Sequence, residues 1–253
     1  MGFYDLSKKE RVQLVQAIES EILEDIHNGQ KNAVLRYFSD EDTYIRKSGY
    51  LAIGKIHKSA KASTSTIINL LNTLLKSDLE KVRQTTINAA GELGKTNFEV
   101  VAHFFDKGLF DDHHSVRNAV IGSIKKMGEQ NPEPVLNWAK KYLHHPDKEV
   151  RREICHGIEL RGRKHPKDIL PLLRALEHDG TARVKNTLIH VLGQIAYKKG
   201  CLETVVKDLN SWENKELVQK ALDEIVDVHH RYRNFAVLTQ KQAIDYIDKN
   251  YMG

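Results

Sequence analysis

Residues Asp111–Gly128 read DDHHSVRNAVIGSIKKMG, and His178–Ala196 read HDGTARVKNTLIHVLGQIA. Each carries an aspartate, Asp111 or Asp179, five residues ahead of an apolar–basic pair, Val116-Arg117 or Val184-Lys185. The pair recurs outward in both directions, as Ile45-Arg46, Val82-Arg83 and Val150-Arg151, with a degenerate copy at Val218-Gln219. The steps are 37 and then 34 residues four times. A fixed period of this length marks a repeat architecture, in which no unit buries its apolar face without its neighbours.

Counting from the apolar residue as zero, offsets +4, +7 and +8 are mostly apolar or small. Examples are Val120, Ser123 and Ile124, or Leu188, Val191 and Leu192. That spacing is one buried stripe of a helix. Weaker amphipathic stretches lie between, such as TSTIINLLNTLLKS from Thr64 and PKDILPLLRALEHD from Pro166, and suit the first helix of each pair. Five residues before zero stand Asp40, Ser77, Asp111, His145, Asp179 and Glu213. Acids there are expected to favour the positive end of the following helix, and to pair with the +1 bases as a ladder. The predicted fold is all-α: a HEAT-like repeat α-solenoid of about six helix pairs with N- and C-terminal capping helices. The resemblance to the HEAT repeat family rests on the two stretches quoted and covers roughly residues 30 to 231.

Ser7-x-x-Glu10 is a capping box for a first helix, and Thr239 should cap a last one. No Gly/Ser- or Pro-rich linker interrupts the chain, so one domain is expected over 1–253. Its N-terminal cap would be 1–30, its repeats 31–231 and its C-terminal cap 232–253. The 253 residues can bury a full core without disulfide or metal help. Cys155 and Cys201 stand apart with no paired thiols, which argues against a disulfide framework. The opening MGFYDLSKKERV has no apolar run of signal-peptide length, and no stretch approaches a membrane span. A monomer of the cytoplasm, with no membrane partner, is expected.

Solenoids present their second helices along a concave face. If the stripe is buried, offsets +2 and +6 face the concavity. The +2 column reads Lys47, Gln84, Asn118, Arg152, Asn186 and Lys220, without an acid. The +6 column reads Leu51, Asn88, Gly122, His156, His190 and Glu224, placing two histidines of adjacent repeats side by side. The net charge is only +5, but residues 161–200 hold nine bases against three acids, +6. Such a segment is expected to meet phosphates, with the +2 residues and the Arg161, Arg163 and Lys164 turn as contacts. The +1 bases are expected to be structural.

The segment HPDKEVRREICHGIELRGRKHPKDILPLLRAL, followed by VKNTLIHVLGQIAYKKG, resembles the HEAT-like-repeat DNA alkylation repair proteins. These form the alkylpurine DNA glycosylase superfamily of the AlkC/AlkD type, and the likeness covers about residues 105 to 200. It implies a DNA-binding groove and, in active members, hydrolysis of the N-glycosidic bond of a cationic alkylated purine. There a groove acid assists the developing oxocarbenium charge, and aromatics contact the lesion. By that matching Phe110, His114 and His190 stand where one branch has Trp, Asp and Trp. His156 stands where the other has Glu, and Arg152 matches an arginine that contacts the DNA backbone. Histidine cannot supply negative charge, so the activity does not come with the fold.

Nine of the 13 histidines lie between His103 and His190, but no HxxxH, HExxH or His-Glu pair is present. Solvated turn histidines are therefore expected, with no metal and no cofactor. There is no phosphate loop, dinucleotide fingerprint or nucleophile elbow. Trp138 and Trp212 are expected in the core. The rival reading is a HEAT-repeat scaffold without enzymatic activity, whose acid-poor face receives an acidic protein partner.

Overall fold

All regular structure in the described residues, 2–253 of a computed structural model, is helical. Met1 lies outside them. The chain divides into two compact units, one ending at Asn131 and the other Pro132–Gly253. In the first unit a 3-10 turn, Phe3–Asp5, precedes α1 (Lys8–Asn28). Three pairs follow: α2 (Asn32–Phe38) with α3 (Thr43–Lys58), α4 (Thr64–Leu74) with α5 (Glu80–Gly94), and α6 (Ala102–Gly108) with α7 (His114–Gln130). The second unit begins with α8 (Pro132–Lys140) and α9 (Lys148–Gly157), the latter continued by the single turn α10 (Glu159–Gly162). Then come α11 (Pro166–Arg174) with α12 (Ala182–Gln194), α13 (Cys201–Leu209) with α14 (Lys215–Arg231), and last α15 (Gln240–Asn250). Helix α3 packs on α1 and α5, and α5 on α7; in the second unit α12 packs on α9 and α14. This is the all-α HEAT-like repeat solenoid that the period predicts.

Both caps are built as their sequences require. Ser7 Oγ accepts the Glu10 N–H while Glu10 accepts the Ser7 N–H, and Thr239 and Gln242 repeat the reciprocal pair at α15. The +4, +7 and +8 positions are buried in every second helix except Val226, which is half-buried. Trp138 and Trp212 are core residues, and the indole N–H of Trp212 is satisfied by Asp208 at 2.8 Å. Among the described residues no helix is long and apolar enough to cross a membrane.

The acids at −5 form the expected ladder pairs in Asp111 with Arg83 and Asp179 with Arg151, and they also close turns. Four of the six second helices are capped by the side chain at −3 or −4, where Asp42, His113, Asp147 and Asn214 accept first-turn N–H groups. The −5 side chain lies outside the helix and accepts the N–H of −3, closing a local turn. Asp40 does so for Asp42 at 2.8 Å, Asp111 for His113 at 2.9 Å and Asp179 for Thr181 at 2.9 Å. Ser77 Oγ and His145 Nδ1 can also accept, and they do so from Leu79 and Asp147. That requirement for an acceptor explains why the column tolerates Ser and His.

The +1 arginines complete the same turns. Arg83 donates to the carbonyls of Ser77 and Asp78 at 2.9 and 3.0 Å, and Arg151 to those of His145 and Pro146 at 2.7 and 2.9 Å. Arg46 and Arg117 make the equivalent bonds. Arg83 then reaches Asp111, and Arg151 reaches Asp179, each with two bonds to the −5 carboxylate of the next repeat. Arg83 and Arg151 thereby hold adjacent repeats in register.

Candidate functional site

With the stripe and the +1 arginines committed, +2 and +6 remain on the surface. Lys47, Asn118, Asn186 and Lys220 are exposed, while Gln84 and Arg152 are half-buried. Lys47 makes no hydrogen bond or ion pair among the described residues. Within the first unit it stands close enough to Lys126 for the two charges to interact. The Lys126 ammonium lies 5.5 Å from the Tyr50 ring centroid. Desolvation there lowers its pKa; Glu92 opposes the shift, while Lys95 and Lys47 add to it. Crowded like charges of this kind are relieved by an anion. Lys126, at +10, was not singled out by the column reading.

Elsewhere the expected bases are largely engaged. Arg152 bonds Glu149 at 2.9 Å and lies 3.4 Å from Glu153. Arg161 pairs with Asp168, and Arg183 with Glu149 at 2.9 Å. Arg163 bonds Glu159 and Gln194. Lys164 is exposed on the turn that follows. The +6 excess of residues 161–200 is thus partly neutralised by Glu149 and Glu159, carboxylates just outside the segment. Phe110, 49% exposed, and the exposed His114 lie at the α6–α7 junction of the first unit, where His114 stacks on His113.

The second unit gathers the remaining candidates into one cluster. His156 on α9 and His190 on α12 share offset +6, and their ring centroids stand 6.1 Å apart. One turn after His156, Glu159 opens α10, with its Oε2 3.0 Å from His156 Nδ1. Its carboxyl is buried, while both histidines are half-buried. Arg163, one turn further on, donates its Nε to Glu159 Oε1 at 3.0 Å and its Nη2 to Gln194 at 3.0 Å. Glu224 on α14, the next +6 residue, lies 3.6 Å from His190 Nδ1 and is held by Arg231. One ligand atom each from His156, Glu159 and His190 lie within 4.8 Å of one another. Two imidazoles and two carboxylates at one place can bind a cation, orient water or stabilise positive charge.

Glu159, at +9, lies outside the +2 and +6 columns, yet the structure sets it against His156. The signal lay in the +9 column, which reads Gly54, Gly91, Lys125, Glu159, Gly193 and Asp227. A Cβ on Gly54, Gly91 or Gly193 would come within 2.7 Å of a side-chain atom of the next second helix. Successive second helices therefore approach closely at +9. A glutamate there breaks the pattern, and the Ile158 step between α9 and α10 carries it toward +6 of the next repeat.

The sequence matches no family model and no curated protein. In structure the chain is similar to AlkD2 of Streptococcus mutans, with TM-score 0.55 and 16% identity over 82% of this chain and 97% of that one. It is likewise similar to smu.31 of Streptococcus mutans UA159, with TM-score 0.53 and 16% identity over the same shares. At this identity the likeness lies in the fold, a HEAT-like helical repeat.

Proposed function

We propose that this chain is a DNA-binding HEAT-like repeat protein of the DNA alkylation repair kind. Its +2 residues would contact duplex DNA, and the His156–Glu159–His190 cluster would lie beside the bound strand. The observation that carries this reading is the acid-free +2 column, whose Lys47, Asn118, Asn186 and Lys220 are exposed, with Lys126 within electrostatic reach of Lys47. Cations held near one another without an adjacent carboxylate excess suit the regular charge of a phosphate backbone. The fold shared with AlkD2 agrees with it.

For excision of a cationic alkylated purine, the reading needs negative charge near the breaking glycosidic bond. His156 cannot provide it, but Glu159 beside His156 and Glu224 beside His190 can. Phe110, an exposed aromatic, would stack on a base. Asn186 and the exposed Lys164 would follow the backbone, with Arg152 a weaker contact because Glu149 already bonds it.

The test is fluorescence anisotropy with a labelled random duplex over a salt series, paired with release of methylated purines from alkylated DNA. The expected result is binding whose log affinity falls steeply and linearly with log salt. Absence of duplex binding at low salt overturns the reading and favours an acidic protein ligand. Binding without base release would make the protein a non-catalytic DNA binder.

A further inference from the structure

We propose that His156, Glu159 and His190 form a binding site for one zinc-class divalent transition-metal ion, with a fourth position open to water or a ligand. The inference is independent of DNA binding and rests on the donor set. Two neutral imidazoles and one carboxylate are a zinc donor combination, and sites with three protein ligands keep a fourth position free. The three ligand atoms already lie within 4.8 Å of one another. A tetrahedral ion with bonds of about 2.1 Å needs donor separations of about 3.4 Å. His156 Nδ1 and Glu159 Oε2, at 3.0 Å, already meet that spacing. Rotation of two half-exposed imidazoles supplies the rest without moving a helix.

The surroundings do what outer ligands do in such sites. Arg163 takes Glu159 Oε1 and is itself held by Gln194, so Oε2 is turned toward His156. Glu224 Oε1, 3.6 Å from His190 Nδ1, places a second carboxylate beside that ring, where outer-sphere partners of metal-binding histidines stand. The charges of Glu159 and Glu224 are balanced by Arg163 and Arg231, so the cluster is not a bare acidic patch. The donors come from two repeats, 34 residues apart, rather than from one helix. This is why the absence of HxxxH in the sequence does not bear on them. Solvated turn histidines such as His113 and His114 lack any such carboxylate neighbour at a second repeat.

The test uses the full chain, stripped with EDTA and titrated with Zn²⁺ by calorimetry and with Co²⁺ by visible spectroscopy. The expected result is one ion per chain, with the intense visible absorption of four-coordinate Co²⁺. His190→Ala and Glu159→Gln are expected to abolish stoichiometric binding, and Arg163→Ala to weaken it at least about tenfold. A His113→Ala/His114→Ala double variant is expected to bind as wild type does. Because Glu159→Gln disturbs a buried pair, His190→Ala at the half-exposed rim is the decisive variant, with far-UV circular dichroism recorded for each. Absence of binding by the wild type overturns the proposal. So does binding that survives His190→Ala with His156→Ala.

Discussion

Arg151 holds both carboxylate oxygens of Asp179 across a repeat boundary, at 2.6 and 3.2 Å, while its remaining amine nitrogen clamps the carbonyls of His145 and Pro146. Arg83 repeats the arrangement with Asp111 at the same separation of 28 residues. Only a planar guanidinium can serve a carboxylate and a turn together, since an ammonium is a single point of charge. Arg151→Lys should therefore destabilise by about 1–2 kcal/mol, and Arg151→Ala by about 3 kcal/mol, because Asp179 is left nearly buried and unpaired. Urea unfolding reads both values. A loss below about 0.5 kcal/mol for Arg151→Ala would remove the pair from the account of repeat stacking.

The same pairs set the response to acid. Burial by itself raises Asp111 and Asp179, and it takes the Arg83 and Arg151 guanidinium groups together with other bonds and charges to outweigh it. Bonds from the turns are among these, and both carboxyls finish below the ordinary aspartate value. A carboxyl with a lowered folded pKa contributes stability above its unfolded value, about 3.9, and loses it as pH falls through the folded value. Asp179→Asn should thus cost most at neutral pH, with the gap from wild type closing progressively below about pH 4. Denaturant midpoints for both proteins from neutral pH downward give the comparison. A gap that is constant with pH would mean that Asp179 acts through shape and turn bonds alone.

The fold was legible because a 34-residue step, an apolar stripe and an apolar–basic pair all describe the same helix. The site was legible only in part. His156 and His190 share an offset, so their proximity follows from the repeat. Glu159 does not, because its offset belongs to the packed face until the chain steps at Ile158. Arg152, Arg161 and Arg163 look like contacts in a charge count, yet each meets a carboxylate supplied by the fold. Charge counts along a sequence cannot see that neutralisation.

Close approach at +9 makes a separate prediction. A Cβ on Gly193 would stand 2.6 Å from Glu224 Cγ and 3.1 Å from Val228 Cγ2, with the Glu224 carbonyl at 3.3 Å. Gly193→Ala should destabilise by about 1–3 kcal/mol through overpacking, even though alanine is the better helix former. Gly122→Ala, in the same type of helix with open space around the added carbon, should stabilise slightly. Thermal unfolding of the two variants decides. Equal effects would show that the helices separate freely at this boundary.

Lys47 and Arg152 occupy the same offset but differ in what already neutralises them. Arg152 bonds Glu149 and neighbours Glu153, whereas Lys47 has neither a hydrogen bond nor an ion pair among the described residues and stands within reach of Lys126. A phosphate that meets Lys47 gains a whole uncompensated charge and relieves the crowding of Lys126. One that meets Arg152 must compete with a carboxylate already in place. Lys47→Ala and Lys126→Ala should each reduce the slope of log affinity against log salt by about one and weaken duplex binding at all sequences alike. Arg152→Ala should change the slope less. Anisotropy titrations over at least three salt concentrations give these slopes directly. If Arg152→Ala flattened the slope while Lys47→Ala left it untouched, DNA would have to displace the Glu149 pair, and the contact surface would centre on the second unit instead of the first.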